Sequence, residues 1–144
     1  MDFKFELIVL PVTDVDRSKE FYVDKMGWNL DVDHDMGEAF RVVQMTPPGS
    51  ACSVTIGRGM SDPSSAGLYK GMHLCVTDIV AARDELVIRG VDVGEPYHFG
   101  ADGQTPGAHP DRARYGTFAE IADPDGNLWL LQEVNDNPTG MSQD

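Results

Sequence analysis

Three polar side chains stand within apolar runs of this chain and are the first candidates for chemistry. They are His73 in GMHLCV, Glu120 in FAEIA and Gln132 in LWLLQEV. The imidazole of a histidine titrates near neutrality, so His73 could serve as a general acid or base. Glu120 could be a general base if it points inward and loses its hydration, although outward exposure is expected as readily. Gln132 could orient a carbonyl or amide group of a ligand.

Each of these residues also has a purely structural interpretation. A histidine that hydrogen-bonds a neighbour in the core is more common than a catalytic one. Gln132 could simply satisfy a backbone group, and Cys75 is expected to be a small buried side chain, because nothing marks it as an activated thiolate. His73 could also belong to a displaced metal site with Glu120 or His98, although a stable site needs three or four convergent ligands.

An internal repeat supplies the elements that position these residues. Residues 7–23 read LIVLPVTDVDRSKEFYV and residues 71–87 read GMHLCVTDIVAARDELV, at a constant offset of 64 (71 − 7). Each copy has an apolar run of β-forming residues, an Asp that can cap a helix, and an amphipathic helical stretch. A strand–helix unit this small cannot bury its own sheet face, so it must stack on its twin. We therefore predict two curved half-sheets that form a cup for a small molecule.

Alternate positions along these strands are expected to face the cup. In the second half these positions carry His73, Cys75 and Gln132. Two turns, PPGS and DPDGN, align at an offset of 77 (126 − 49). The two offsets give the counterparts in the first half as Val9 (73 − 64) and Thr55 (132 − 77). A mainly apolar pocket with a few polar groups is the general design of a small-molecule site.

The same patterns predict the secondary structure and the boundaries of the halves. We expect a first module over residues 1–60, a linker over 61–67, a second module over 68–134 and a frayed tail over 135–144. The expected strands are 5–12, 28–33, 40–45 and 52–56 in the first half, and 72–76, a strand from Asp92, 117–122 and 128–134 in the second. The expected helices run from Asp14 or Asp16 to Gly27, and over 79–89.

The two offsets differ by 13 (77 − 64), which predicts an insertion in the second half. It falls in Gly94–Arg114, a stretch rich in Gly and Pro. A loop of this length is usually either functional or disordered. His98, Arg114 and Tyr115 bring aromatic and cationic groups to an otherwise acidic chain, so one interpretation is a lid that contacts an anionic or aromatic ligand.

Composition excludes several classes of partner. The net charge is −13, and phosphate binding requires clustered Lys and Arg, so neither nucleic acid nor an anionic membrane surface is an expected partner. No run of about 18 apolar residues is present, and the first residues do not resemble a signal peptide. Two cysteines are too few for a disulfide framework and suit a reducing compartment, so we expect a cytoplasmic protein.

Three segments together resemble the vicinal oxygen chelate superfamily, which includes glyoxalase I, extradiol dioxygenases and bleomycin-resistance proteins. They are PVTDVDRSKEFYVDKMGW, VTDIVAARDELVIRGV and FAEIADPDGNLWLLQEV, and the resemblance spans about residues 5–134. It implies an α+β fold in which tandem βαβββ modules form a cupped, eight-stranded mixed sheet. It also implies a homodimer, because members of the family commonly dimerise.

Metal-dependent members of this family hold a divalent ion with four side chains, classically His, Gln or Glu. The resemblance places those four positions at Leu7, Ser53, Gly71 and Leu130. Leucine and glycine offer no donor side chain, and a single serine hydroxyl is a poor ligand for divalent ions. We therefore expect no classical metal site and no cofactor.

Three functions remain open at this point. The first is metal-independent binding of a small organic ligand, aromatic or anionic, in the manner of resistance proteins. The second is a metal-independent isomerase or lyase in which His73, with Glu120 or Gln132, performs acid–base chemistry. The third is a glyoxalase- or dioxygenase-type enzyme with a displaced metal site.

Overall fold

The structure is a computed structural model and describes residues 1–138. The chain forms two compact units. The first comprises Met1–Tyr69 and the turn Asp123–Asn127; the second comprises Lys70–Ala122 and the chain from Leu128 onward. No helix among the described residues has the length and apolar content needed to cross a membrane.

The first unit is a four-stranded sheet with one helical segment. Its strands lie in the order β1-β4-β3-β2, with β1 parallel to β4 and the other neighbours antiparallel. The elements are β1 (Leu7–Val9), α1 (Val15–Lys19), a π-helical turn (Glu20–Lys25), β2 (Asn29–Asp35), β3 (Arg41–Thr46), β4 (Ser53–Arg58) and a short 3₁₀ turn (Pro63–Ser65).

The first helix differs in form from the prediction. Asp14 caps it by accepting a hydrogen bond from the Arg17 amide, as the Val-Thr-Asp motif predicts. After Lys19 the chain widens into the π-helical turn, marked by the 2.9 Å bond from the Met26 amide to the Phe21 carbonyl. The adjacent residues Phe21 and Tyr22 are both buried there, a pairing that a strict 3.6-residue period does not predict.

The second unit repeats this plan and adds one strand. Its sheet has the order β5-β9-β8-β6-β7, with β5 parallel to β9. The elements are β5 (Met72–Val76), α2 (Ile79–Ile88), β6 (Tyr97–Gly100), β7 (Gly103–Pro106), β8 (Phe118–Ala122) and β9 (Leu128–Glu133).

The α+β class and the βαβββ plan are thus confirmed, with nine strands in the described residues where the repeat predicts eight. The additional strand is β7, which pairs with β6 as a hairpin inside the predicted insertion Gly94–Arg114. Part of that segment is therefore regular sheet at the edge of β8 and not a structureless loop.

Strand registers correct the size of the insertion. Leu7 pairs with Ser53, a separation of 46 residues, and His73 pairs with Leu130, a separation of 57. The difference is 11 (57 − 46), two residues fewer than the 13 predicted. Because Leu7 and Ser53 pair in register, their predicted counterparts Gly71 and Leu130 should also pair. Leu130 pairs with His73 instead, two residues after Gly71, so the two predicted counterparts cannot both be correct. A shift of two residues keeps every side chain on the same face.

The turn Asp123–Asn127 is bonded into the first unit although it lies late in the sequence. The Tyr22 hydroxyl donates to Asp123 Oδ2 at 2.7 Å, and Asn127 Nδ2 donates to the Pro11 carbonyl at 3.2 Å. Asp123 and Asn127 are both buried. The DPDGN motif therefore closes the β8–β9 hairpin and also completes the polar core of the other unit.

Candidate functional site

One face of the second sheet is open and carries four of the nine predicted site residues. Register and alternation place two residues from each of three neighbouring strands on it. We call it the open face, and it consists of His73 and Cys75 from β5, Leu130 and Gln132 from β9, and Phe118 and Glu120 from β8. His73, Cys75 and Glu120 are exposed on it.

The opposite face of this sheet is closed by α2. Trp129, Leu131 and Glu133 alternate with the open-face residues of β9 and are all buried. The amide of Ile79, the first residue of α2, donates to Glu133 Oε2 at 2.9 Å. The helix thus packs on this side, and the sheet leaves only the open face for a ligand.

A hydrogen-bonded chain fixes His73 on the open face. His73 Nδ1 lies 3.2 Å from Gln132 Oε1, and Gln132 Nε2 donates to the Tyr115 carbonyl at 3.0 Å. His73 is therefore an exposed side chain with a polar neighbour, not the buried core histidine of the structural alternative. Gln132 joins the loop before β8 to the imidazole.

Glu120 shares the face with His73 but does not contact it. Both residues pair with Leu130, His73 from β5 and Glu120 from β8, so Leu130 lies between them. Two strand spacings separate their backbones by about 10 Å. Burial raises the pKa of Tyr97, and the charge of Glu120 and a hydrogen bond to its carboxylate raise it further.

Three aromatic rings border the Glu120 side of the open face. Tyr97 pairs with Phe118 in register, and their rings stack with centroids 5.7 Å apart. Phe99 meets both rings edge-on, at 5.9 Å from Tyr97 and 5.6 Å from Phe118. Phe99 is 59% exposed, so this aromatic cluster presents aromatic surface to solvent.

The segment before β8 is held by an ion pair that sequence reasoning missed. Glu133 is fully buried and accepts from Arg112 through both guanidinium Nε and Nη2. Burial acts to raise the pKa of Glu133, but the bonds from Arg112 and Ile79 outweigh it and hold the pKa below its usual value. The sequence did contain a signal for this ion pair, because Glu133 is a charged residue within the apolar run LWLLQEV.

Backbone conformation in the same segment is unusual. Arg112 and Tyr115 have φ values of 49° and 68°, the left-handed region that side chains other than glycine rarely adopt. The Tyr115 amide donates to the Glu133 carbonyl at 2.8 Å, which ties the segment to β9. The carbonyl that orients Gln132 is therefore held by a strained, anchored backbone.

The remaining predicted residues of this unit lie away from the hydrogen-bonded chain of His73, Gln132 and Tyr115, or at its end. The prediction that Cys75 is buried is wrong, because it is exposed on the open face. His98 alternates with Tyr97 and Phe99, is buried, and has Nδ1 2.7 Å from the Gly107 carbonyl. Arg114 lies over the Tyr115 ring, with the guanidinium carbon 5.3 Å from the centroid.

In the first unit, Val9 and Thr55 are neighbours in register. Thr55 is 3% exposed, and its hydroxyl has no hydrogen-bond partner within residues 1–138. Ser53 is equally buried, and its hydroxyl lies 2.7 Å from that of Thr46. Ser53 and Thr55 lie on the inner strand β4 and Val9 on the edge strand β1, and these positions offer little accessible polar surface.

The first unit also contains a network of charged side chains and a cleft. Arg41 lies between Asp16 (2.8 Å) and Asp33 (2.9 Å), and hydrogen bonds first from Arg41 and then from Lys19 lower the pKa of Asp33. A cleft of about 600 Å³ lies nearby, lined by residues that include Val12–Asp16 and Gly57–Gly59. None of the predicted site residues lines it.

The positions implied by the family resemblance do not fit a divalent ion. Leu7 and Leu130 have no side-chain donor atoms, and the Ser53 hydroxyl is already hydrogen-bonded to Thr46. The register pairs Leu130 with His73 and not with Gly71, and with either residue the four positions offer at most one imidazole and one hydroxyl. Elsewhere in the described chain, no group of three or more His, Cys, Asp or Glu side chains could hold a metal ion.

Comparisons with known proteins agree with this architecture. A model of the Glyoxalase/Bleomycin resistance protein/Dioxygenase superfamily matches residues 4–131. An uncharacterized protein of Shewanella frigidimarina (strain NCIMB 400) is 32% identical over 131 residues, covering 90% of this chain and 92% of the relative. TnmS3, an antibiotic binding protein from Streptomyces sp. CB03234, has a TM-score of 0.71 and 27% identity, covering 93% of this chain and 98% of its own. A glyoxalase/bleomycin resistance protein from the same strain has a TM-score of 0.67 and 28% identity, covering 90% and 100%.

Proposed function

Since the chain belongs to the Glyoxalase/Bleomycin resistance protein/Dioxygenase superfamily, we propose that it binds a planar aromatic small molecule on the open face, without a metal ion. The observation that carries this proposal is the arrangement of the face itself. Leu130 provides an apolar floor between His73 and Glu120, and the exposed Phe99 ring stands at one side. Apolar surface with a few fixed polar groups is what a small aromatic ligand requires.

The donor chemistry of the chain supports binding without metal. A divalent ion on the open face would need several convergent donors, and Leu130 occupies the position where the family resemblance places a carboxylate. TnmS3 is described as an antibiotic binding protein, and its similarity to this chain favours a binding role. A homodimer remains a prediction.

An enzyme that uses His73 and Glu120 as an acid–base pair is a weaker alternative. The pair is separated by a whole strand, so a proton could pass between them only through a ligand or water molecules that reach both. The oriented imidazole of His73 is compatible with such a reaction but equally with binding alone.

The proposal is tested with 6-methoxyquinoline as the probe, because it is bicyclic, aromatic and soluble. At roughly 0.3 kcal/mol for each of about 12 non-hydrogen atoms, binding is worth about 4 kcal/mol, a Kd near 1 mM. Amide chemical-shift changes in an NMR titration measure affinities in this range. We expect the changes to concentrate on β5, β8 and β9 and to persist after dialysis against EDTA.

A matched pair of variants locates the binding. Leu130→Asp places a charge on the floor of the open face and should abolish the shift changes. Leu68→Asp changes an exposed leucine outside that face and should leave them intact. Shift changes confined to other elements, or binding that EDTA abolishes, would refute the proposal.

A further inference from the structure

We propose that His73 is held as its Nδ1–H tautomer and presents an unprotonated Nε2 to the open face, where it selects aromatic ligands that carry a hydroxyl group. This inference rests on the proposed function and names the class of ligand. It follows from three linked hydrogen-bonding groups whose donor and acceptor roles are fixed by their chemistry.

The first link orients the Gln132 amide. The Tyr115 carbonyl can only accept a hydrogen bond, so the group 3.0 Å from it must be the NH₂ of Gln132. The opposite orientation would set two carbonyl oxygens against each other. The amide oxygen of Gln132 therefore points towards His73.

The second link sets the tautomer of His73. Gln132 Oε1 can only accept, and it lies 3.2 Å from His73 Nδ1. In the neutral imidazole the proton must then be on Nδ1, which leaves a lone pair on Nε2. No hydrogen bond to Nε2 is found among residues 1–138, and the side chain is exposed.

The third link makes the arrangement rigid. Tyr115 keeps a left-handed backbone conformation, its amide is bonded to the Glu133 carbonyl, and the Glu133 side chain holds Arg112 three residues earlier. The Tyr115 carbonyl is thus fixed from the closed side of the sheet. The Gln132 side chain, which itself lies on the open face, carries that fixed position to His73.

The chemical consequence is a preference between otherwise similar ligands. An aromatic hydroxyl can donate to the Nε2 lone pair, whereas a methoxy group in the same place has only acceptor oxygen to offer. Glu120, about 10 Å away across Leu130, is a second acceptor on the same face. A flat compound with a hydroxyl group at one end therefore fits both the floor and the polar groups of the face.

The tautomer is measured directly by two-bond ¹H–¹⁵N correlation NMR of the imidazole rings in the intact protein. We expect a pyrrole-type ¹⁵N shift at Nδ1 of His73 and a pyridine-type shift at Nε2. Gln132→Met removes the acceptor, and the pyrrole-type signal should then no longer be confined to Nδ1. A pyridine-type Nδ1 in the unsubstituted protein would overturn the inference, whatever the ligand results.

Ligand selection is measured by titrating 6-hydroxyquinoline and 6-methoxyquinoline at mildly alkaline pH. The hydroxyl compound should bind roughly 3- to 10-fold more tightly, the range that one net hydrogen bond provides. His73→Asn can still donate to Gln132 but lacks the distal acceptor, so it should bind both compounds equally. His34→Asn alters an exposed histidine on β2 and should retain the preference.

The outcomes separate this inference from the proposed function. Equal binding of the two quinolines to the unsubstituted protein would refute the selection by His73 and leave aromatic binding on the open face intact. Binding of neither compound would refute the proposed function and the selection together. A preference that survives in His73→Asn would show that another group recognises the hydroxyl, which also overturns the inference.

Discussion

Replacing Glu133 by glutamine tests whether the buried ion pair holds the segment that orients Gln132. The Glu133 carboxylate accepts from Arg112 Nε at 2.9 Å, from Arg112 Nη2 and from the Ile79 amide at 2.9 Å. Glutamine keeps one acceptor oxygen and sets an NH₂ group against the remaining donors. Either the buried Ile79 amide or the guanidinium then loses its partner.

The expected loss of stability follows from burial. A buried donor left without a partner costs about 1–3 kcal/mol, and breaking a fully buried ion pair costs about 3–5 kcal/mol. The side chain of Arg112 is 40% exposed, so water compensates part of its loss. We expect a decrease of about 2–3 kcal/mol in the free energy of unfolding, or roughly 5–10 °C in Tm.

The control is the exposed pair Glu85–Arg89 at the carboxyl-terminal end of α2, with a distance of 2.8 Å between Arg89 Nη2 and Glu85 Oε1. Glu85→Gln should cost no more than about 0.5 kcal/mol, because an exposed i,i+4 pair contributes little. Thermal unfolding followed by circular dichroism measures both variants. Equal Tm values for Glu133→Gln and Glu85→Gln would show that burial does not determine how much the ion pair contributes to the stability of the fold.

The same pair predicts a dependence on pH. The pKa of Glu133 in the folded protein lies below its ordinary value of 4.5, so its contribution is complete above about pH 4.5 and is lost as the pH falls through the folded value. The Tm difference between the unsubstituted protein and Glu133→Gln should therefore shrink in acid. A difference that grows below pH 4.5 would contradict the assigned direction.

Three further substitutions test the first unit by the same unfolding assay, and a fourth, Gly71→Ala in the second unit, serves as a control. Tyr22→Phe removes the 2.7 Å bond to the buried Asp123 carboxylate and should cost about 1–3 kcal/mol; no change would mean that this bond is not formed. Gly57→Ala should destabilise by about 3 kcal/mol, because its Cβ would lie 1.8 Å from the Arg41 carbonyl oxygen, whereas Gly71→Ala meets nothing within 4 Å and should be neutral. Arg41→Met should lower stability at neutral pH, and this loss should shrink progressively as the pH falls below 3.8 towards the lowered pKa of the aspartate partners Asp16 and Asp33; an equal loss at neutral pH and at about pH 2 would exclude that origin.

The repeat was enough to predict the βαβββ plan because its signals are local. The strand Met72–Val76 is bounded by Gly71 and by the Asp78 cap, and its predicted limits agree with the structure. The end of α2 at Ile88 lies one residue from the prediction. Strand β7 was not predictable in this way, because GQTP has no alternating apolar pattern and pairs only through its neighbour β6.

Only part of the candidate site could be predicted, because alternation along a strand is also a local signal. Alternation correctly placed His73, Cys75 and Gln132 on one face, but a period of two does not say which face is open, and Cys75 was wrongly expected to be buried. The role of the Tyr115 carbonyl depends on a left-handed backbone that the Arg112–Glu133 pair imposes from another strand. No pattern within a short window contains that information.

The late position of the turn Asp123–Asn127 in the sequence affects how the first unit folds during synthesis. The first unit ends at Tyr69 in sequence, yet its buried partners for Tyr22 and Pro11 follow up to 58 residues later (127 − 69). At about 5–20 residues per second, the ribosome needs roughly 3–12 s to deliver them. During that interval the polar core of the first unit lacks these partners, so the unit starts to form first but can be completed only after Asn127 has been made.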